Sequence, residues 1–284
     1  MPPAQKPRGE VTRGTTAPNR LRRVDRWIAA TQSRPLRSAA RPLAVDLGYG
    51  ASPITTFELY ARLRAVSPDL EVTGIEIEPE RVAAGVALLA TLRKTPEPAA
   101  PARVPYGGLS FRRGGFELPV PRPPVLVRAF NVLRQYDEPA AWRAWDDLRA
   151  RLAPSGVLVE GTCDEIGRRA AWVTLTKDGP QTITFAAHLR SLERPSALAE
   201  RLPKTLIHRN VPGEPVHALL TAFDRCWATA APHSAFGPRA RWVEAVSLLA
   251  RTHPVLTRPP FGGRNRWRLG EVTLPWTAVA PYSR

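Results

Sequence analysis

The most informative segment of this chain for its architecture is Val45-Asp46-Leu47-Gly48-Tyr49-Gly50-Ala51-Ser52. It continues a short apolar segment that starts at residue 43 and precedes a segment, residues 54–66, whose apolar side chains recur at helical spacing. This order predicts a strand, a tight turn and a helix. Because glycine lets the backbone pass close beneath a ligand at the carboxyl end of a parallel strand, Gly48 and Gly50 predict a binding site at this turn.

Alternating strand and helix patterns continue on the C-terminal side of this turn. The predicted strands are residues 43–47, 71–77, 109–112, 125–130 and 156–160, and the predicted helices are residues 54–66, 80–92 and 140–152. Two β-rich segments, residues 171–176 and 181–186, flank the turn signal Lys177-Asp-Gly-Pro180 and predict an antiparallel hairpin. Together these patterns predict an α/β fold with a mainly parallel sheet.

The flanks of this region differ in composition, which predicts four segments. Residues 1–18 form a predicted disordered basic tail, residues 19–40 an amphipathic helix with Asn19 as its N-cap, and residues 41–190 the α/β domain. Residues 191–284 form a predicted, mainly helical C-terminal extension. The helices expected there are residues 196–202, 215–230 and 238–250, followed by a closing strand at residues 266–274.

Glu76, at the end of the second predicted strand, supports the interpretation of the glycine turn as a binding site. A carboxylate at this place can accept hydrogen bonds from both hydroxyls of a ribose. A dinucleotide fingerprint requires a third glycine where this chain has Pro53, so a nicotinamide oxidoreductase is a weaker alternative. A turn without any ligand is the other alternative.

Two motifs carry a resemblance to a known family. Asp46-Leu-Gly48-Tyr-Gly50 and Gly74-Ile-Glu76-Ile-Glu-Pro79 resemble the first two motifs of class I S-adenosylmethionine-dependent methyltransferases. The resemblance covers about residues 40–190. It implies a Rossmann-like, seven-stranded sheet whose last two strands form the antiparallel hairpin, and S-adenosyl-L-methionine as cofactor.

The resemblance also implies roles for single residues on the cofactor side. Asp46 would lie near the cofactor amino group, Gly48 and Gly50 would make room for the methionine portion, Glu76 would hold the ribose, and Ile77 would pack on the adenine. Tyr49, between the two glycines, would belong to the same cofactor-binding residues. The family usually presents an acidic side chain to the adenine amine after the third strand, but this chain has Gly115 there. Stacking or backbone hydrogen bonds of Phe116 are expected to replace it.

The substrate side is expected after the fourth and fifth strands. The candidates for substrate contacts are Asn131, Arg134 and Tyr136, with Glu160 or Asp164 as a base. For Asn131 a turn role remains open beside a substrate role. The segment Ala129-Phe-Asn-Val-Leu133 lacks the Asn/Asp-Pro-Pro-Tyr sequence of methyltransferases that act on exocyclic nitrogens of DNA bases, so the acceptor stays unidentified: a small molecule or RNA.

Charge and composition limit the remaining functions. The formal net charge is +16, half of it in residues 1–42, and only four of the 41 basic residues are lysine. A catalytically silent protein that binds RNA through this basic arm is therefore the alternative function, with a biased composition as the simpler explanation. Two cysteines and five scattered histidines predict no metal site. The absence of a long apolar run or apolar leader predicts a cytoplasmic protein without membrane contact.

Overall fold

β1 (Leu43–Leu47) lies in the middle of four parallel strands in the computed structural model, which describes residues 7–11, 16–94 and 106–283. It pairs with β2 on one side and with β4 on the other, and β2 pairs with β3. All five residues of β1 are buried, as expected for a parallel strand covered on both faces.

The strands and helices follow the predicted alternation with small shifts at their ends. The strands after β1 are β2 (Glu71–Glu76), β3 (Leu109–Arg113), β4 (Leu126–Phe130), β5 (Val157–Cys163), β6 (Arg169–Thr176), β7 (Gly179–Ala187) and β8 (Glu271–Pro275). The helices are α1 (Arg22–Thr31), α2 (Ser33–Ser38), α3 (Ile54–Arg64), α4 (Pro79–Lys94), α5 (Glu138–Ala150), α6 (Lys204–Ile207), α7 (Pro215–Thr229), α8 (Pro238–Leu249) and α9 (Arg264–Trp267).

The sheet has the order β3-β2-β1-β4-β5-β6-β7-β8. This confirms the predicted α/β class, with parallel strands first and an antiparallel hairpin, β6 and β7, after them. The predicted number of seven strands is wrong, since β8 adds an eighth strand antiparallel to β7. The closing strand was expected at residues 266–274, but α9 occupies the start of that segment and β8 begins only at Glu271.

The chain divides into two compact units, both of which are discontinuous in sequence. The first comprises Met1–Gln135 with Arg143–Val159, and the second comprises Tyr136–Trp142 with Glu160–Arg284. The four segments that the sequence predicts have other boundaries than these two units. That division into four segments stays a prediction. Parts of the predicted tail, residues 1–6 and 12–15, lie outside the described residues.

In the second unit, aromatic side chains and paired threonines form the core. Phe223 of α7 lies against Trp242 of α8 with ring centroids 5.1 Å apart, and both are buried. Thr184 of β7 and Thr273 of β8 share a buried hydrogen bond of 2.9 Å between their hydroxyls. The segment expected to be helical at residues 196–202 is a 3₁₀ helix, Pro195–Arg201.

In the first unit, α1 packs on α3 through its apolar face. Trp27 and Ile28 are fully buried, as the amphipathic pattern predicts. The prediction that Asn19 is the N-cap is wrong. Its backbone is left-handed (φ 60°), and its side-chain oxygen accepts a hydrogen bond from Arg62 (2.8 Å). The helix begins instead after Leu21, without a side-chain cap.

Arg128 of β4 is fully buried and joins three elements of the first unit. It lies opposite Asp46 in the pairing of β1 with β4, and its Nε and Nη2 donate to the two oxygens of that carboxylate at 2.9 and 2.6 Å. Its Nη1 donates to Asp25 of α1, and Asp25 also accepts from Arg62 of α3 at 2.7 Å. Two carboxylates from separate elements therefore share one guanidinium.

The charges of this cluster depend on one another. Burial acts to lower the pKa of Arg128, but the charges and hydrogen bonds of Asp25 and Asp46 outweigh it, so that the pKa is raised and the guanidinium stays protonated. Burial raises the pKa of Asp25, and Arg128 and Arg62 oppose that rise. Removal of the arginine would leave Asp46 without its counter-ion and Asp25 with Arg62 alone.

We expect Arg128→Met to lower the free energy of unfolding by about 3–5 kcal/mol, because breaking a buried ion pair from one side leaves uncompensated charge. Urea unfolding followed by circular dichroism measures the loss. The control is Arg149→Met, which removes a half-exposed pair with Asp146 in α5 and is expected to cost at most about 1 kcal/mol. Equal losses for the two variants would contradict a structural role of the buried cluster.

Among the described residues, no helix is long and apolar enough to cross a membrane.

Candidate functional site

The turn after β1 has the backbone geometry that its glycines predict. Gly48 and Gly50 have φ values of 66° and 83°, in the left-handed region that side chains disfavour. The Gly48 N–H donates to the Ile75 carbonyl at 2.8 Å, and the Gly50 N–H donates to Oε2 of Glu76 at 2.9 Å. The ends of β1 and β2 are thus tied to each other through the turn.

Glu76 is the carboxylate that holds this turn. Its Oε1 accepts the N–H of Ile77 at 2.9 Å, and Arg81 of α4 lies 3.6 Å from its Oε2. Each carboxylate oxygen has two lone pairs, so two backbone amides leave acceptor capacity for ligand hydroxyls. In this structure Glu76 is only 1% exposed. The residue is therefore both a support of the turn and the group that can hold a diol here.

Both carboxylate oxygens of Asp46 accept hydrogen bonds from Arg128 in the buried cluster. Besides Arg128, it accepts a hydrogen bond from the Thr56 hydroxyl of α3 at 2.7 Å, and it is 2% exposed. This places its carboxylate between β1, β4 and the start of α3. The proposed contact with a cofactor amino group remains a prediction, and the described contacts give Asp46 a positioning role.

Tyr49 directs its side chain away from the turn and toward α4. The ring lies edge-on to Phe111 with centroids 5.4 Å apart, and its hydroxyl donates to the Arg81 carbonyl at 3.1 Å. Burial, with the negative charges of Glu76 and Asp46, raises the pKa of this phenol, so it stays neutral. Its backbone carbonyl accepts a hydrogen bond from the Thr16 hydroxyl at 3.0 Å.

The loop after β3 reaches the same edge of the sheet. The Gly114 N–H donates to the Glu76 carbonyl at 3.0 Å, which fixes the start of this loop beside the end of β2. Glu117 accepts the Gly115 N–H through Oε1 at 2.8 Å, and Phe116 is buried. Glu117 is the functional candidate that the sequence reasoning missed, although a carboxylate two residues after Gly115 was a visible signal.

The predicted substrate residues fall into both units. Asn131 follows β4 in the first unit with φ 60°, a conformation that asparagine tolerates better than most residues and that favours its turn role. Tyr136 and Glu160 belong to the second unit, where Glu160 is buried on β5. Their roles remain predictions.

This edge of the first unit is where an open α/β sheet binds ligands. The chain runs outward from β1 through β2 to β3 and then returns to β4 on the other side of β1, so the site lies at a topological switch point, outside the carboxyl ends of the strands. The acceptor capacity of Glu76 suits a diol, and the left-handed glycine turn admits a close-lying chain. The contacts of Ile77 and Phe116 with a base stay predictions. No group of three or more metal-ligating side chains occurs within the described ranges.

Comparisons with known proteins give structural matches only. No protein-family model and no curated protein matches the chain. Among solved structures, the mitomycin 7-O-methyltransferase matches at 18% identity and TM-score 0.34, over 49% of this chain and 36% of that one. A putative rRNA methylase from Clostridium thermocellum matches at 15% identity and TM-score 0.34, over 52% of this chain and 70% of that one.

A third match is an O-methyltransferase of neocarzinostatin biosynthesis, solved with S-adenosyl-L-homocysteine. Its identity is 20% and its TM-score 0.34, over 48% of this chain and 38% of that one. The chain thus spans well under half the length of the two O-methyltransferases named here. The matched structures include methyltransferases crystallised with S-adenosylmethionine or S-adenosylhomocysteine.

The turn geometry itself is testable. We expect Gly50→Ala to lower the free energy of unfolding by about 1–2 kcal/mol, because a Cβ is disfavoured at positive φ. Gly107→Ala is the matched control, since a Cβ there meets no atom within 4 Å, and its expected effect is within about 0.5 kcal/mol. Urea unfolding of both variants measures the difference. If Gly50→Ala were as stable as the control, the left-handed turn would be refuted.

Proposed function

We propose that the chain is an S-adenosylmethionine-dependent methyltransferase. The observation that carries this proposal is the link between Gly50 and Glu76: a buried carboxylate at the end of β2 holds a left-handed glycine turn at the end of β1. This arrangement suits a ligand that has a ribose diol and a short chain leading away from it. The sequence resemblance, which rests on the same residues, supports the choice of ligand.

The cofactor, when bound, supplies a sulfonium methyl group that is an electrophile without further activation. The protein then has to position the two reactants and exclude water. In the proposed site Glu76 orients the ribose, Gly48 and Gly50 leave room for the methionine portion, and Asp46 keeps β1 and α3 in place through Arg128 and Thr56. A base is needed only where the acceptor carries a proton.

The acceptor remains the open part of the proposal. We assign its side of the site to Asn131, which follows β4 in the first unit. The roles expected for Tyr136 and Glu160, which belong to the second unit, stay predictions from the sequence. A small molecule and RNA are the two acceptor classes of this proposal, and a cytoplasmic location goes with either.

We expect Glu76→Gln to weaken the binding of S-adenosylhomocysteine roughly 10- to 100-fold, because hydrogen bonds to a charged acceptor contribute about 1.5–3 kcal/mol. Isothermal titration calorimetry measures the affinity, which we expect to be micromolar for the unaltered protein. Glu80→Gln, an exposed change in the first turn of α4, is the matched control and should bind as the unaltered chain does.

The absence of heat with S-adenosylmethionine and S-adenosylhomocysteine in a folded sample would contradict the proposed function. Equal affinity of Glu76→Gln and Glu80→Gln would contradict the role of Glu76, because it would place the ribose elsewhere.

The two roles of Asn131 can be separated by a pair of variants. Asn131→Gly keeps the left-handed backbone, so it should leave stability within about 0.5 kcal/mol, whereas Asn131→Ala should cost about 1 kcal/mol. If the side chain contacts the acceptor, both variants lower turnover. If turnover falls in neither variant once an acceptor is known, Asn131 has the turn role alone.

A further inference from the structure

The N-terminal segment, residues 7–11, lies against the loop after β3. The carbonyl of Arg8 accepts the Phe116 N–H at 2.8 Å, and the Arg8 N–H donates to Oε2 of Glu117 at 2.8 Å. One residue of the tail thus presents a donor and an acceptor side by side to two neighbouring groups of this loop. Both groups belong to the loop at which the sequence resemblance places the adenine of the cofactor.

An adenine base presents the same pair of groups on one edge. Its exocyclic amine is a donor and the adjacent ring nitrogen is an acceptor, and proteins read flipped or single-stranded bases through this edge. The Glu117 carboxylate can accept from the amine, and the Phe116 N–H can donate to the ring nitrogen. The backbone of Arg8 therefore makes the two hydrogen bonds that an adenine would make in the same place.

Close approach of the tail depends on Gly115. A Cβ at this position would lie 1.9 Å from the Arg8 carbonyl oxygen, so every larger residue would exclude the tail from its present place. The absence of a side chain at Gly115 thus has a physical reason in this structure, because the position admits the backbone of the tail. Glu117 supplies the carboxylate from two residues further along the loop.

Contacts outside this loop anchor the tail. The Arg8 side chain forms an ion pair with Asp147 of α5, and Gln135 donates to the Glu10 carbonyl at 3.1 Å. Both side chains of the ion pair are partly exposed, so the anchor is a weak one that can be broken at little cost. With the tail docked, Phe116 and Glu76 are both buried.

We propose that the Glu117 carboxylate and the Phe116 amide form a recognition pair for an adenine edge, and that Arg8 occupies this pair when no nucleoside is bound. The tail and an adenine nucleoside then compete for one place. This inference rests on the proposed function, because it takes S-adenosylmethionine as the ligand and expects its adenine at the loop after β3. It predicts that weaker docking of the tail makes nucleoside binding tighter, because a smaller share of the protein is blocked.

The test uses adenosine and S-adenosylhomocysteine as probes with the full-length chain. Asp147→Ala removes the anchor without touching the site, and we expect it to tighten adenosine binding about two- to fivefold. Arg8→Pro removes the anchor and the N–H donor together and should give a larger gain. Asp146→Ala, the neighbouring carboxylate that pairs with Arg149, is the matched control and should leave the affinity unchanged.

Hydrogen exchange gives a readout that does not depend on turnover. In the unaltered protein the Arg8 and Phe116 amides should both be protected. Added adenosine should expose the Arg8 amide and leave the Phe116 amide protected, because the base replaces the tail at this donor. In Asp147→Ala without ligand, both amides should exchange faster.

The outcomes separate the inference from the proposed function. If adenosine affinity is equal in all variants, falls when the anchor is removed, or is absent throughout, the competition is refuted. If S-adenosylhomocysteine binds with the same affinity to the unaltered chain, Asp147→Ala and Arg8→Pro, the cofactor assignment stands and this inference fails. If adenosine behaves as expected but neither S-adenosylmethionine nor S-adenosylhomocysteine binds, the inference stands and the methyltransferase proposal fails.

Discussion

The buried guanidinium of Arg128 is the constraint on which the first unit depends. It pairs with a carboxylate 103 residues away in α1 and with another 82 residues away in β1. A guanidinium without these partners would be costly at zero exposure, and so would either carboxylate. The helix before the sheet, the central strand and its neighbour therefore have to come together as one arrangement. Apolar packing alone would allow α1 to slide on α3, whereas charged hydrogen bonds fix its position.

The same cluster determines what the two acidic residues at the sheet edge can do. Asp46 is held by Arg128 and by Thr56, so it fixes the first turn of α3 relative to β1. Glu76 is held by two backbone amides and keeps acceptor capacity on its oxygens. One carboxylate thus builds the site and the other remains suited to a ligand. Asp46 and Glu76 lie at similar places on adjacent strands, so the sequence alone does not distinguish their roles.

Most of the sheet could be predicted because its signals are local. Apolar runs and turn residues place β1 within its observed bounds and the hairpin of β6 and β7 within a few residues. The pairing of β8 with β7 could not be predicted, since it joins segments about 90 residues apart and its short strand follows a helical turn. In the site, glycine spacing identifies Gly50 and Glu76. The contact of Arg8 with Glu117 has no such signal, because 109 residues separate them and it uses the backbone of the tail.

The contacts of the tail bear on the positive charge of residues 1–42, the arginine-rich arm. Half of the net charge lies in residues 1–42, which in the sequence alone raises the question of nucleic acid. Several of these charges have partners within their own unit: Arg8 pairs with Asp147, and Arg37 donates to the Val66 carbonyl at 3.0 Å. Arg8 is available to other anions only after the tail detaches, whereas Arg22, Arg26 and Arg34 of the same arm are exposed. The docking of the tail therefore explains the place of one charge and leaves the question of a nucleic-acid partner with the others.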